Sequence, residues 1–555
     1  MPNCKRCSTG FEIVDSDREF YDRIGPVVAG KKFSVPEPTL CPDCRRQRRL
    51  SWRNERVLFQ RDCDLCKQKT FSMYSEKADF PVYCIKCWWS DQWDPTFFGQ
   101  DYDTSRSFFE QFQELRKRVP RMALMQSQNE NSEYTNCVSH LKDCYLLFSS
   151  DFNRDCFYGV WIEKSKDCID NILIDSCQLT YESIFAQNIY NSQFILFSNQ
   201  CSDSAFLLDC RNCSNCFMSY GLRNKKFHIA NKEYSEKEYF QKLKEFPMSS
   251  YSNLQKAKAH FFENVLNASN PHMRKRGTII DSSGDFLTNA QNCIECYDLT
   301  EAKDCKYVMG GFEIKDAYDC CYVSGELGYE NCECVPMPFN SISCSGSYAG
   351  SDLYYSDICM NNCKNLFGCV GLKHAEYMIL NKKYSPDEYE KQVAQIIEVM
   401  QKAGEWGDFF PAKLSPFTYN TTEAQENYPL TKEECLARGY HWQAKDQREY
   451  QPQSYDIPDD IEDVPDEITK KILACVDCGK NYKVIAQELK LYRNAGLPVP
   501  RKCFECRHGD RMKLKNPRIL YDRKCDKCSV DIKTTYSKER PEKIYCEPCY
   551  QESLS

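Results

Sequence analysis

Eight Cys-x-x-Cys pairs lie at the two ends of this 555-residue chain, four at each end. The first four are Cys4/Cys7, Cys41/Cys44, Cys63/Cys66 and Cys84/Cys87, and the last four are Cys475/Cys478, Cys503/Cys506, Cys525/Cys528 and Cys546/Cys549. In both sets, 18 residues separate the second pair from the third, and 17 separate the third from the fourth. Two such turns direct four sulfur atoms into one tetrahedral cage, as in structural zinc sites. The spacing therefore predicts about four zinc ions per chain.

The two ends are copies of one double zinc-ribbon module. Residues 54–66, NERVLFQRDCDLC, align without a gap on residues 516–528, NPRILYDRKCDKC. We therefore assign each ion to two successive pairs, so that the first and second pairs of each end bind one ion and the third and fourth pairs bind another. Two alternatives remain open. A cage of four cysteines also suits rubredoxin-like iron, and 37 cysteines in a secreted protein would suggest disulfide bonds.

The rest of the sequence favours a reducing compartment. The start, MPNCKR, contains no apolar stretch typical of a signal peptide, and no run of about 18 apolar residues predicts a membrane span. We therefore expect a cytoplasmic protein with no membrane partner. The formal net charge of −7 argues against broad, nonspecific binding to nucleic acid.

Between the two ends, the sequence repeats every twelve residues. Rows of twelve open with a polar turn-former and a small residue, as in Asp143-Cys144, Asp155-Cys156, Asp167-Cys168, Asn191-Ser192, Asp203-Ser204 and Asn215-Cys216. A second block repeats the pattern from Asn292, and residues 231–235 (NKEYS) recur at 381–385 (NKKYS). These repeats predict a mainly β fold with a duplicated parallel β-solenoid. Because a coil of twelve residues leaves little room for the many aromatic residues, we expect two rows, about 24 residues, in each coil.

The cysteines of the repeats have a simpler interpretation than a metal site. Cys144, Cys156, Cys168 and Cys216 fall in one column that also accepts Ser and Thr, so we interpret them as small buried apolar residues. Cys210, Cys213 and Cys216, and the pair Cys293/Cys296, have ligand-like spacing, which leaves an additional metal open.

Helix signals complete the predicted organisation. Ser235 with Glu238 and Ser385 with Glu388 form capping boxes after each block, and an amphipathic helix is expected at 104–119. The predicted domains are a double zinc-ribbon module at 1–100, a connecting helix at 101–130, solenoid block 1 at 131–234, capping and linking helices at 235–290, solenoid block 2 at 291–384, a capping helix at 385–404, an acidic linker at 405–470 and a second double zinc-ribbon module at 471–555.

The ribbon motifs also carry a family resemblance. Residues 475–482, CVDCGKNY, and 503–507, CFECR, resemble small bacterial zinc-ribbon domains that begin with CxxCGxxF and end with CxxCR. The whole chain is similar to uncharacterised zinc-ribbon proteins of candidate-phylum bacteria with reduced genomes. This resemblance implies zinc and a cytoplasmic setting. It implies no established activity, and only a weak expectation of contact with nucleic acid.

The sequence leaves three kinds of function open. Basic residues follow equivalent cysteine pairs at both ends, namely Arg45, Arg46, Arg48, Arg49, Arg53, Arg507, Arg511 and Lys513. Clustered cations on rigid ribbons bind phosphates, although they also balance the charge of thiolates. The first hypothesis is therefore a non-enzymatic, zinc-binding protein that contacts RNA, DNA or a ribonucleoprotein. The alternative is a protein-interaction scaffold, through a protein partner or self-association of the solenoid.

An enzyme is the third hypothesis. A glycan-active β-helix enzyme would need three carboxylates clustered in a solenoid cleft. We predict no catalytic residue, since the sequence contains no P-loop, nucleophile elbow or HExxH motif. A cage of four thiolates also leaves no open position for a reactive water molecule.

Overall fold

The computed structural model of the protein describes residues 1–265, 268–444 and 449–554. The fold is mainly β, with a parallel β-solenoid of twelve-residue repeat in the middle and a cysteine cluster pair near each end. The predicted fold class is therefore confirmed. Among the described residues, none of the helices is long and apolar enough to span a membrane.

Solenoid block 1 is a sheet of 13 strands. The strands are Gln126–Ser127, Asn136–Ser139, Tyr145–Asp151, Arg154–Glu163, Lys166–Ile169, Ile172–Asp175, Gln178–Tyr181, Ile184–Gln187, Tyr190–Leu196, Ala205–Leu208, Ser214–Tyr220, Lys226–Ile229 and Lys232–Glu233. Successive coils pair in parallel, with Cys156 opposite Cys168 and Val160 opposite both Phe148 and Ile172. The offset is twelve residues, so each coil holds one row. The expectation of about 24 residues per coil is therefore wrong.

Solenoid block 2 has the same construction in a sheet of 11 strands. The strands are Lys275–Ile280, Gly284–Gln291, Cys296–Lys303, Met309–Tyr318, Cys321–Tyr329, Cys332–Cys334, Ser341–Ile342, Ser351–Tyr354, Lys364–Phe367, Glu376–Ile379 and Lys382–Lys383. Leu287 lies opposite Leu299, which lies opposite Gly311, again at a spacing of twelve.

The small coil is explained by a three-residue period in the backbone. From Cys137 to Ala230, every third residue has a positive φ angle. The residue after each of these points inward, as Leu147, Ile162 and Ile195 do. A coil therefore has four short sides and four interior side chains, most of them Cys, Ser, Ala, Ile, Leu or Val. The aromatic side chains, such as Phe148 and Phe157, lie on the outside of the coil, so they need no interior space.

Hydrogen bonds between coils stabilise this strained backbone. A left-handed conformation costs an L-residue about 1–2 kcal/mol, and Asn and Asp adopt it most readily. Amide N–H groups of left-handed corners in block 1 donate to carbonyls of the preceding coil, commonly 13 residues earlier, as in Asp155 to Lys142 O (3.1 Å) and Asp170 to Phe157 O (3.0 Å). Neighbouring coils therefore hold one another's corners in place.

Three helices lie beside the solenoid blocks. The amphipathic helix spans Phe108–Arg118 and buries Phe108, Phe112 and Leu115. Helices Glu236–Leu243 and Pro386–Ala403 begin at the capping boxes of Ser235 and Ser385. Each covers the last coil of its block, with Tyr239 against Phe227 and Tyr389 against Tyr377, both at 5.7 Å between ring centres.

The other helices belong to the ribbon modules and to the connecting segments. They are Asp15–Ile24, Pro42–Leu50, Ile85–Trp88, Tyr251–Val265, Glu423–Asn427, Lys432–Ala437, Ala486–Ala495, Phe504–Leu514 and Glu547–Gln551. Part of the predicted acidic linker is also packed. Phe410 stacks on Trp52 (4.6 Å) and on Phe112 (5.1 Å), so this segment belongs to a core.

The described residues form two compact units. Unit 1 contains residues 1–124, 273–444 and 518–520, and unit 2 contains the described parts of 125–272, 445–517 and 521–555. The N-terminal ribbon module therefore shares a unit with solenoid block 2. The C-terminal ribbon module shares the other unit with solenoid block 1. Sequence order alone does not indicate this pairing.

Candidate metal centres

The ribbon cysteines assemble into four clusters with the grouping expected from the sequence. The clusters are Cys4/Cys7/Cys41/Cys44, Cys63/Cys66/Cys84/Cys87, Cys475/Cys478/Cys503/Cys506 and Cys525/Cys528/Cys546/Cys549, and the four Sγ atoms of each lie within 4.8 Å of one another. A tetrahedral metal with bonds of about 2.3 Å to sulfur places its ligands about 3.8 Å apart. The Sγ separations are 3.6 Å for Cys7–Cys41, 4.0 Å for Cys66–Cys84, 3.7 Å for Cys478–Cys503 and 3.6 Å for Cys528–Cys546. The clusters therefore fit a metal ion each.

The first pair of each cluster lies on the same tight turn. The residue after the second cysteine has a left-handed backbone in all four turns, with φ of +62° at Ser8, +60° at Lys67, +74° at Gly479 and +63° at Ser529. In each turn the amide of that residue donates to the carbonyl of the first cysteine, at 2.9 Å from Ser8 to Cys4. This closes the turn and directs both sulfur atoms to one side.

The second pair of each cluster begins a helix. Cys41, Cys84, Cys503 and Cys546 are the N-cap residues of Pro42–Leu50, Ile85–Trp88, Phe504–Leu514 and Glu547–Gln551. Backbone amides at these junctions also donate to sulfur, from Cys84 to Cys63 Sγ (3.2 Å) and from Cys546 to Cys525 Sγ (3.3 Å). The positive end of a helix and amide donors both stabilise a thiolate, which is the form that binds metal.

The local electrostatics agree with this arrangement. Burial alone would raise the pKa of Cys475. Hydrogen bonds from the backbone amides of Cys503, Cys478 and Asp477 outweigh this effect and lower the pKa to about 6. Amides of Cys528, Cys546 and Lys527 likewise lower the pKa of Cys525 to about 6, against the effect of burial. Each cluster supplies four sulfur ligands, which suits a structural metal rather than a catalytic one. None of the sixteen ribbon cysteines, all within the described residues, is in a disulfide bond.

The solenoid cysteines have different surroundings. Cys144, Cys156, Cys168, Cys210, Cys213, Cys216, Cys293 and Cys296 are buried among the apolar residues of the two solenoid interiors. Within the described residues, the four ribbon clusters are the groups of three or more ligand atoms close enough to share an ion. Cys210, Cys213 and Cys216 do not form such a group, and their placement fits small core residues.

The arginines predicted to contact nucleic acid in the N-terminal module are buried against solenoid block 2. Arg45 forms an ion pair with Asp319 at 2.8 Å, and Arg49 reaches both Asp319 (3.1 Å) and Glu330 (2.6 Å). Arg48 completes the network with Glu330 at 2.9 Å. Burial by itself raises the pKa of Asp319, but Arg45 and Arg49 hold that pKa below its ordinary value.

Arg46, in helix Pro42–Leu50, and Arg53, just after it, are also buried. The guanidinium of Arg46 lies 4.8 Å from the ring centre of Tyr297, and that of Arg53 lies 3.9 Å from that of Tyr322. Arg53 also pairs with Glu55 at 3.0 Å. These contacts combine cation–π attraction with burial.

The C-terminal module repeats this interface in unit 2. Arg507 and Arg511 bind Asp170 at 2.8 and 2.9 Å, and all three side chains are buried. Arg507 lies over Tyr158 as Arg45 lies over Tyr307, at 4.8 and 5.3 Å from the ring centres. Lys513 differs, since its side chain is 78% exposed and pairs with Asp510 at 2.8 Å. Seven of the eight predicted cations are therefore buried against protein carboxylates or aromatic rings.

The carboxylates that receive these arginines were not singled out by the sequence reasoning. Asp170 interrupts an outward column of mostly apolar residues that includes Leu146, Tyr158, Phe194 and Phe206. A buried acid in an apolar column, at the place where a helix rich in arginine must dock, is a usable signal of an internal ion pair.

The tryptophans that follow the fourth cysteine pair lie against solenoid block 2. Trp88 is fully buried, and Lys373 Nζ lies 4.1, 4.9 and 5.3 Å from the ring centres of Trp88, Trp89 and Trp93. Their rings therefore contact a lysine of solenoid block 2.

Comparisons with known proteins add little. No protein-family profile matches the chain, and no curated protein has a similar sequence. Among solved structures, similarity is found to a Desulfovibrio desulfuricans G20 protein described as an acetyltransferase, with 9% sequence identity over 50% of this chain and 82% of that chain. The TM-score is 0.11, which supports no inference about fold or activity here.

Proposed function

We propose that this protein is a zinc-dependent, non-enzymatic scaffold. Four zinc ions fold the ribbon modules, the modules brace the two solenoid blocks, and the open faces of the solenoid bind other proteins. The observation that carries the proposal is the insertion of the ribbon arginines into buried carboxylates of the solenoid, in both units.

Zinc is the metal that best suits the clusters. Each has four thiolates in a closed arrangement, and zinc has no geometric preference that competes with a tetrahedron. When bound, the ion would neutralise thiolate charge and fix the two turns of each ribbon. A reducing cytoplasm, which we also propose, keeps such thiols available for metal. The resemblance to bacterial zinc-ribbon proteins is consistent with this choice of metal.

In each unit, one helix connects a metal site of the ribbon module to the solenoid. In unit 1, Cys41 and Cys44 lie at the start of helix Pro42–Leu50, and Arg45 and Arg49 follow on the same helix. In unit 2, Cys503 and Cys506 precede Arg507 and Arg511 in the same way. The metal sites therefore orient the helices whose arginines dock on the solenoid, because binding of a structural metal and local folding are coupled.

Nucleic-acid binding is the first hypothesis from the sequence, but most of the cations expected to contact phosphates are buried. Of the eight cations, Lys513 is the one with a well-exposed side chain, and a duplex needs several such cations to give strong binding. It stays a prediction that the same experiments test.

The glycan-enzyme alternative would rest on Asp151, Glu163 and Asp175, which lie in one column of solenoid block 1.

The test begins with the native metal. Protein purified from its host without added metal should contain about four zinc ions per chain. Removal of zinc with a chelator should increase amide exchange in Pro42–Leu50 and Phe504–Leu514 and in the solenoid strands that contact them. Iron, fewer than two ions per chain, or unchanged exchange after complete removal would contradict the proposal.

The same preparation separates a scaffold from a nucleic-acid binder. Proteins that co-purify should remain after nuclease treatment, and binding to them should persist at moderate salt. Loss of all partners with nuclease, together with RNA or DNA affinity that falls steeply between low and moderate salt, would instead support the phosphate-binding hypothesis.

A further inference from the structure

One outer column of solenoid block 1 changes charge from one end to the other. Ser127 and Ser139 open this column. The seven residues that follow are Asp151, Glu163, Asp175, Gln187, Asn199, Arg211 and Arg223, at intervals of twelve residues. Parallel pairing aligns them in successive coils, from Asp151 beside Glu163 to Arg211 beside Arg223. We call this set the charged column. It begins with three acids, continues through two amides and ends with two arginines.

The charged column is half-buried, on a face whose neighbouring column is exposed. The neighbouring column of the same face runs from His140 to Asn224 at the same interval, and each of its residues is exposed. Strands in a ladder lie about 4.8 Å apart, so the seven members span about 29 Å. A partner can therefore approach along the whole length of the column.

Three acids lie side by side in one half of the column. Asp151 accepts a hydrogen bond from Ser139 (2.5 Å), and Asp175 accepts from Gln187 and Ser176 (both 2.9 Å). Burial among its neighbours raises the pKa of Glu163 well above its ordinary value, and repulsion from Asp151 and Asp175 adds to this effect more than Lys164 opposes it. Burial also raises the pKa of Asp151. Like charges directly opposite each other destabilise a sheet, so cations placed over these acids would relieve repulsion.

The basic half offers such cations. The side chain of Arg211 is 42% exposed, and its Nε lies 3.9 Å from Asp209, at the limit of an ion pair. Arg223 lies closer to the same carboxylate, at 3.3 Å. Arg211 is therefore the more available of the two for a partner.

We propose that the charged column binds the same column of a second copy of the chain, antiparallel, about a two-fold axis at Gln187. Gln187 is the fourth of the seven members, so rotation places Glu163 opposite Arg211 of the other copy and Asp151 opposite Arg223. Asp175 then lies opposite Asn199, and Gln187 lies opposite itself. A two-fold contact requires a surface that is complementary to itself. The order of charges in the column meets this requirement.

The order of charges favours a second copy over a glycan as the occupant. A glycan-active site would need two or three acids, but would not need amides and arginines in the same column at matching distances from its centre. Because the face is narrow, a contact between two copies along it would bury less than the roughly 800 Å² per partner of a stable interface. We therefore expect a weak dimer that depends on concentration and on salt.

The test is sedimentation velocity of the full-length, metal-loaded protein over a range of concentrations at about 50 mM and about 500 mM salt. The wild type should form dimers at low salt and dissociate at high salt. Glu163→Arg and Arg211→Glu should each weaken the dimer roughly tenfold or more, because each places like charges opposite each other twice. Lys226→Glu, an exposed reversal on a neighbouring face, is the matched control and should change nothing.

Mixing the two variants decides the register. In a mixed dimer, the arginine introduced at position 163 of one copy meets the glutamate introduced at position 211 of the other, and the unchanged Arg211 meets the unchanged Glu163. Both pairs are attractive again, so an equimolar mixture should dimerise although each variant alone does not. Arg211→Gln, which adds no charge beside Asp209, replaces Arg211→Glu in the single-variant test if the latter does not fold.

Three results would overturn the proposal. They are a wild type that stays monomeric at low salt and high concentration, a Glu163→Arg variant that dimerises as well as the wild type, and mixed variants that stay monomeric. All of these readouts are made on metal-loaded protein without any protein partner, so failure here is distinguishable from failure of the proposed scaffold function.

Discussion

Replacement of Asp319 by Asn tests whether the ribbon modules are fastened to the solenoid through buried charge. Asp319 is fully buried and accepts from Arg45 and Arg49, whose side chains are 2% and 0% exposed. Asn has nearly the same shape but carries no charge, so two guanidinium groups lose their shared counter-ion in the interior. Removal of one partner from a buried ion pair costs about 3–5 kcal/mol. Glu330 retains Arg49, which places the expected cost near the lower limit.

The assay is hydrogen exchange at peptide resolution, because a chain with two units does not unfold in one step. Since about 1.4 kcal/mol is a factor of ten, exchange in Pro42–Leu50 should rise by roughly two to three orders of magnitude. Asp170→Asn is the matched variant in unit 2, and it should loosen Phe504–Leu514. Each variant should affect its own helix and leave the other unchanged.

Two results would refute this reasoning. In the first, Asp319→Asn exchanges like the wild type, which would mean that packing alone fastens the ribbon. In the second, both helices loosen in either variant, which would mean that the effect is a general loss of stability. Asp15→Asn breaks the exposed pair with Arg18 and serves as the control that should leave exchange unchanged.

Further predictions concern the metal, acid and the solenoid interior. Replacing Cys525 and Cys528 by Ser should release one metal ion per chain by elemental analysis and unfold the local ribbon, whereas Cys435→Ser, outside the clusters, should release none. Asp319 and Asp357 have a lowered pKa in the folded chain, so their stabilising contribution is present at a pH above the unfolded pKa of about 3.9 and is lost as the pH falls through the folded pKa values. The denaturant concentration at the unfolding midpoint of unit 1 should therefore decrease when the pH is lowered below about 4, and should stay constant between about pH 5 and 7. In the solenoid, Cys168→Ser should be tolerated and Cys168→Phe should prevent folding of block 1, measured by circular dichroism and solubility, because a four-sided coil has no room for a ring.

The local chemistry of this fold could be predicted from sequence. The spacing of the cysteine pairs identifies the four clusters, and Ser235 and Ser385 identify two helix starts, because each of these signals acts over a few residues. The twelve-residue period also gives the correct offset between coils. The number of rows per coil could not be derived, because the sequence does not show whether the aromatic residues face inward or outward. The backbone places an inward residue at every third position, and residues such as Phe148 and Phe157 lie outside that set.

The role of the arginines could not be predicted because it depends on contacts between distant parts of the chain. Arg45 and Asp319 are 274 positions apart, and Arg507 and Asp170 are 337 positions apart. Arginines beside a metal-binding motif suggest phosphate binding only if their side chains reach the surface. The exposure of a side chain follows from the tertiary packing, which the spacing of the cysteines does not contain.

The duplicated interface gives the two units a common physical logic. In each, a helix that starts at a cysteine pair inserts two arginines, one turn apart, onto one buried aspartate, and the first of them also covers a tyrosine. Recurrence in two separate units is difficult to explain by charge balance for the thiolates, because the carboxylates compete with the thiolates for the same cations. Buried ion pairs add little net stability, yet they strongly disfavour incorrect pairings, in which the charges would lack partners. The arginines therefore specify where each ribbon module docks on its solenoid block. Under the proposed scaffold function, the polar faces of the solenoid, including the charged column, are the surfaces that would bind a partner.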